Sequence, residues 1–84
     1  MPDGTDGDGG AIEKVTLRDV TDQGGVLVLE DGRTLRVHPG DTSFTIFWMP
    51  TTALEISQDD TSRLFPLNVH NKVIRSNINA AWTT

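Results

Sequence analysis

The stretch that decides the fold is VLVLEDGRTLRVH, Val26–His38, in which two β-prone runs flank Asp31-Gly32. A type I′ turn needs positive φ at both central residues, and Asp-Gly is a preferred pair for it, so the stretch is predicted to be a hairpin with a two-residue loop. That loop sets Glu30 opposite Arg33. The core face is then predicted to hold four side chains: Val26, Val28, Leu35 and Val37. The other face is mixed and holds Leu27, Leu29, Thr34, Arg36 and His38.

Short runs with strand character lie on both sides of this hairpin. The predicted strands are Ile12–Val20, Phe44–Met49, Ala53–Ser57, Leu64–Val69 and Val73–Ser76. Pro66 cannot donate a backbone hydrogen bond, which predicts an edge or a bulge for its strand. Ile74, Ile78 and Trp82 are spaced by four, as on a helix, but Asn77 and Asn79 are weak helix formers. We therefore favour an extended C-terminus and leave a helix open.

Strands at intervals of about 8–12 residues, with no long helical period, are typical of a small barrel or sandwich. The sequence predicts an all-β domain over residues 11–84. Its expected form is a five- to six-stranded antiparallel barrel of the SH3 or OB type, or a compact sandwich. Residues 1–10 (MPDGTDGDGG) are predicted to be a disordered acidic tail, because they have too few apolar groups to offset the entropy cost of ordering.

Composition excludes several classes of function. The 84 residues contain no cysteine and two histidines, which excludes disulfides and thiolate zinc sites and leaves little for any metal. The net charge is −5, and the basic residues form no stripe that could attract a phosphate backbone, so nucleic-acid binding is disfavoured. No apolar run approaches the roughly 18 residues of a membrane span, and no signal-peptide pattern opens the chain. We expect a soluble, cytoplasmic protein that needs no cofactor.

Catalytic patterns are absent as well. The sequence has no G-x-S-x-G elbow and no glycine-rich phosphate loop. The adjacent Asp59 and Asp60 point to a solvated turn rather than to a convergent pair of carboxylates. His38 and His70 each lie at a predicted strand end, where a structural role is expected. We therefore predict that the chain is not an enzyme.

The run FTIFWM, Phe44–Met49, is the most informative for function. As a strand it would be apolar on both faces, with Trp48 on one and Phe47 and Met49 on the other. A thin β layer cannot easily bury both faces, so part of the run is expected to form an exposed contact surface. The candidate interaction residues are Phe44, Phe47, Trp48, Met49 and Trp82.

Two functions fit such a surface. The first is a non-enzymatic protein-interaction or self-assembly module, whose partner is another protein or a second copy of the chain. An edge strand such as Leu64–Val69 could add backbone pairing to that contact. The alternative is an OB- or SH3-like domain that binds single-stranded nucleic acid by stacking bases on Phe44, Phe47 or Trp48.

The order of several short motifs from Leu29 onward resembles that of small uncharacterised bacterial all-β proteins. In these an E-D-G hairpin precedes an aspartate-containing loop, a W-x-P/G turn and a leucine-asparagine pair. The matching pieces here are Glu30-Asp31-Gly32, Val37, Asp41, Trp48 with Pro50, Leu54-Glu55-Ile56 and Leu67-Asn68. Leu35 departs from the usual aromatic residue, and Thr51-Thr52 from a Gly-Asp turn. The resemblance covers about half of the 84 residues and implies a barrel-like fold, but no catalytic or binding residues.

Overall fold

The computed structural model describes residues 12–58 and 63–83. The predicted tail and the Asp59-Asp60 pair lie outside the described residues. The strands are β1 (Glu13–Thr21), β2 (Val26–Leu29), β3 (Thr34–Val37), β4 (Ala53–Gln58), β5 (Leu67–Asn71) and β6 (Ser76–Trp82). A one-turn helix, α1 (Thr42–Thr45), follows the 3₁₀ turn Pro39–Asp41, and another 3₁₀ turn, Asp22–Gly24, joins β1 to β2.

The strands close into a barrel in the order β1-β2-β3-β6-β5-β4, with every neighbouring pair antiparallel. The barrel consists of two three-stranded meanders, β1–β3 and β4–β6. They are joined by two seams, in which Thr16 pairs with Ala53 and Val37 pairs with Ala80. The predicted all-β class and small barrel are confirmed.

Side chains from alternate strand positions fill the barrel interior, because successive side chains of a β-strand point to opposite faces. Eleven strand residues and one residue from outside the strands form this core: Leu17, Leu27, Leu29, Leu35, Val37, Leu54, Ile56, Leu67, Val69, Ile78 and Ala80, with Trp48. Since the chain has no cysteine, this apolar burial is the main favourable term in folding.

The β2–β3 hairpin has a different register from the predicted one. The Leu29 amide donates to the Arg33 carbonyl (2.9 Å), so the loop is the three-residue Glu30-Asp31-Gly32, and only Gly32 has positive φ (95°). A one-residue shift turns every side chain of a strand to its other face. The predicted core face of β2 is therefore wrong: Leu27 and Leu29 are buried, whereas Val26 and Val28 are half-buried.

The predicted edge strand is also wrong. The strand begins at Leu67, directly after Pro66, and lies between β4 and β6 in the closed barrel. Since every strand has two neighbours, the barrel offers no free edge for pairing with another chain. The C-terminal segment is a strand, and residues 72–75 form the turn that leads into it.

The segment predicted as the aromatic strand Phe44–Met49 is not a strand. It begins in α1 and continues as irregular turns. The cause lies in the topology: β3 and β4 are three positions apart in a ring of six, so the chain between them must cross the barrel mouth. We call residues 38–52 the capping segment. The end of the barrel that it covers is the capped end, and the other is the open end.

Candidate interaction surface

The first half of the capping segment is fixed against the turn between β1 and β2. The buried Thr45 hydroxyl donates to the Gly24 carbonyl at 2.6 Å. Gly24 has a φ of 90°, and a Cβ there would lie only 2.6 Å from the Thr42 carbonyl oxygen. Only glycine tolerates both conditions, so this residue allows α1 to pack closely on the turn.

The second half of the capping segment is fixed to β1. The Thr51 amide donates to the Leu17 carbonyl at 2.6 Å, and the Leu17 amide donates to the Thr52 carbonyl at 2.9 Å. Between these anchors Trp48 turns into the core and is only 4% exposed. Its indole N–H has no hydrogen-bond partner among the described residues. Trp48 thus closes the barrel mouth from inside and is not available on the surface.

The remaining apolar side chains of the capping segment face outward. The exposed fraction is 80% for Phe47, 68% for Met49, 55% for Phe44 and 47% for Ile46. We call these four residues the apolar patch. They are exposed because the segment crosses the mouth as a single layer, whose inward positions are taken by Thr45 and Trp48.

The β5–β6 turn adds two exposed apolar residues at the same end of the barrel, Val73 and Ile74. The side chain of the buried Asn71 holds this turn, because its Oδ1 accepts from the Val73 amide at 3.0 Å and the Ile74 amide at 3.4 Å. The sequence pattern did not mark Val73 or Ile74 as surface residues, and it placed Ile46 with Trp48. Only the position of the turns on the closed barrel identifies them.

The two strand turns at the capped end differ in charge. The β1–β2 turn carries the exposed Asp22, and Asp19 lies just before it on β1. The β5–β6 turn carries Lys72 and Arg75, of which Lys72 pairs with Glu55 on β4 at 3.5 Å. The capped end therefore has an acidic and a basic side, with apolar residues between them.

Trp82 lies at the open end, because it ends β6 opposite Leu35 near the start of β3. The structure thus does not bring it together with the apolar patch. Its ring contacts Arg33, whose Cζ is 4.6 Å from the ring centroid. Arg33 also pairs with Glu13 and with Asp31. The hydrogen bond from Arg33 holds the pKa of Asp31 below its ordinary value of 3.8. This cluster ties β1, the hairpin loop and β6 together.

A shallow cavity of about 380 Å³ lies beside Trp82 at the open end. Its lining is Ile12, Glu13, Ile56, Ser57, Gln58, Leu67 and Trp82. Among the described residues that line the cavity, Ser57 has the only hydroxyl group, and none is a histidine or lysine that could act as its base. Within residues 12–58 and 63–83, no group of three or more His, Cys, Asp or Glu side chains could hold a metal ion.

Both histidines have structural partners. The His38 Nδ1 accepts from the Gly40 amide at 2.9 Å, which helps the chain turn into the capping segment. Its ring also contacts Phe65 edge-on, with centroids 5.0 Å apart. The His70 Nδ1 lies 2.9 Å from the Asn77 Oδ1 on the neighbouring strand. These contacts give both rings fixed positions on the outside of the barrel.

Comparison with known proteins adds no relatives: no family model, no curated protein and no solved structure matches the chain. In the described part of the chain, none of the helices has the length and apolarity to cross a membrane.

Proposed function

We propose that this chain is a non-enzymatic protein-interaction module that binds its partner through the apolar patch at the capped end. The observation that carries the proposal is the exposure of Phe47 and Met49 on a segment whose backbone is anchored at both ends. Large apolar side chains grouped on the surface of a small protein mark contact sites. Aromatic and methionine side chains are also enriched in protein interfaces.

The anchored backbone is important for affinity. A flexible segment loses conformational entropy when a partner binds it, at about 1–2 kcal/mol for each residue whose backbone becomes fixed. Here the Thr45–Gly24 hydrogen bond and the buried Trp48 already fix the main chain. Covering the exposed part of the Phe47 side chain would contribute about 1.5–3 kcal/mol. Two or three such residues would together contribute about 3–9 kcal/mol, which offsets part or all of the translational and rotational freedom that association costs.

Protein is a better partner than single-stranded nucleic acid for this surface. Base stacking needs accessible aromatic faces beside a basic groove. Trp48 is buried, which leaves Phe44 and Phe47 as stacking groups. The basic side chains of the capped end, Lys72 and Arg75, lie on one turn only and face an acidic turn across the mouth.

The test compares two variants that place the same charge on equally exposed sites. Phe47→Asp changes the apolar patch, and Leu64→Asp changes a residue that is 72% exposed in the loop before β5, at the open end. Each protein carries a photoreactive crosslinker in place of Ser43, an exposed residue of α1. We expect a crosslinked product of defined mass for the Leu64→Asp protein, as for wild type, and none for Phe47→Asp.

Both variants should unfold at the wild-type urea concentration, because neither side chain is packed in the core. A wild-type protein that forms no crosslinked product, with itself or with another protein, would contradict the proposal. So would a product that forms equally well with Phe47→Asp, since the contact would then lie elsewhere.

A further inference from the structure

We infer that the partner at the capped end is a second copy of this chain, docked capped end to capped end about a two-fold axis that runs along the capping segment. This inference rests on the proposed function and specifies its partner. It follows from how the barrel distributes apolar groups and charges around one mouth.

The strand order fixes the positions of the three connections at the capped end. In the ring β1-β2-β3-β6-β5-β4, the β1–β2 turn and the β5–β6 turn lie on opposite sides of the mouth. The capping segment leaves β3 and enters β4, which are also opposite each other. The line that joins the two turns is therefore roughly perpendicular to the path of the capping segment.

The two turns carry opposite charges that are available for a partner. The Asp22 carboxylate and the Arg75 guanidinium form no ion pair among the described residues. Asp19 adds to the acidic side, whereas Lys72 on the basic side pairs with Glu55 at 3.5 Å, so the free positive charge of that turn is Arg75. Of the described residues at the mouth, Asp22 thus carries an unpaired negative charge on one side and Arg75 an unpaired positive charge on the other, and the apolar patch lies on the capping segment that crosses between them.

A two-fold axis along the capping segment exchanges the two sides of the mouth. It places Asp22 of each copy against Arg75 of the other, and it places the apolar patch against itself. Two-fold dimers are the commonest soluble oligomers. Their interfaces are isologous and need a self-complementary surface. A partner of uniform charge would meet a like charge on one of the two turns, and this repulsion opposes binding. The charge pattern therefore favours a second copy.

Sedimentation velocity of the full chain over a range of protein concentrations tests the inference. We expect wild type to form dimers that dissociate on dilution and that weaken as salt is added, because exposed charge pairs are screened. Phe47→Asp should be monomeric, with a dissociation constant raised at least about 100-fold, since a charge would be buried without a partner. Leu64→Asp should dimerise like wild type.

Charge reversal tests the two-fold arrangement itself. Asp22→Arg and Arg75→Asp should each weaken the dimer about tenfold, because each creates two like-charge contacts. The double variant restores both pairs in reversed order and should return to within about threefold of wild type. Circular dichroism and urea unfolding confirm that each variant is folded. A double variant as weak as the singles would overturn the arrangement.

The outcomes separate this inference from the proposed function. A wild type that stays monomeric at every concentration overturns the second copy as partner. If the crosslinker at position 43 then captures a different protein, and Phe47→Asp abolishes that capture, the interaction module remains correct. A dimer that is insensitive to Phe47→Asp but broken by Leu64→Asp contradicts both.

Discussion

Replacing Leu27 by alanine should be among the most destabilising single changes in the β2–β3 hairpin. Leu27 is fully buried and faces Leu35 across the hairpin. Truncation of a buried leucine to alanine costs about 2–5 kcal/mol, because the transfer energy is lost and a cavity remains. The free energy of unfolding of a domain of this size is about 4–12 kcal/mol. The Leu27→Ala protein should therefore lose a large part of its stability, from about a sixth to all of it.

Val28→Ala is the matched control, since Val28 is the next residue and points away from the core. It is half-buried, so the loss of its two methyl groups should cost about 1 kcal/mol or less. The free energies of unfolding are measured by urea denaturation monitored by tryptophan fluorescence, with a common m-value expected for all three proteins. The two-residue-loop register makes the opposite prediction. A Val28→Ala protein less stable than Leu27→Ala would refute the three-residue loop and the register derived from it.

Two further predictions concern the turns. Gly24→Ala should cost clearly more than Gly32→Ala: both residues have positive φ, worth about 1–2 kcal/mol, but only at position 24 would the new Cβ meet a backbone oxygen. If urea denaturation finds the same loss of unfolding free energy for both variants, α1 does not pack on the turn. Arg33→Gln should raise the pKa of Asp31 towards 3.8, because the guanidinium hydrogen bond that lowers this pKa most is removed, while the backbone amide of residue 33 still donates to Asp31. A carboxyl group whose pKa is lowered in the folded state stabilises the fold when the pH is above its unfolded-state pKa. This contribution is lost as the pH falls through the folded-state pKa. The stability difference between wild type and Arg33→Gln should thus shrink below about pH 4. An NMR titration that finds the same Asp31 pKa in both proteins would contradict this.

Local sequence patterns were sufficient for the fold class but not for register. The Asp31-Gly32 pair fits a two-residue loop and equally a three-residue loop that ends in a glycine of positive φ. The choice between them depends on whether valines or leucines of β2 fill the barrel, which is a matter of interior volume. The hairpin sequence alone does not determine the interior volume of the barrel.

Prediction of the candidate site from the sequence was limited in the same way, here by contacts between residues far apart in the chain. Alternation separated Phe47 and Met49 from Trp48, and the structure has the first two exposed and the third buried. The physical reason differs from the predicted one, because the segment is a cap across a closed barrel and not a strand. Closure depends on β1 pairing with β4 and β3 with β6, contacts between residues far apart in sequence. The acidic and basic turns take opposite sides of one mouth only after this closure.

The division into two meanders also bears on how the chain folds. Within each meander, neighbouring strands are joined by turns, so their pairing closes mainly short loops. The seams are non-local, since pairing Leu35 with Trp82 closes a loop of more than forty residues. Loop-closure entropy delays such contacts, and folds rich in them form slowly. The two halves should therefore form first as hairpins, and the rate-limiting step should be their association around Trp48, which must enter the interior before the barrel shuts.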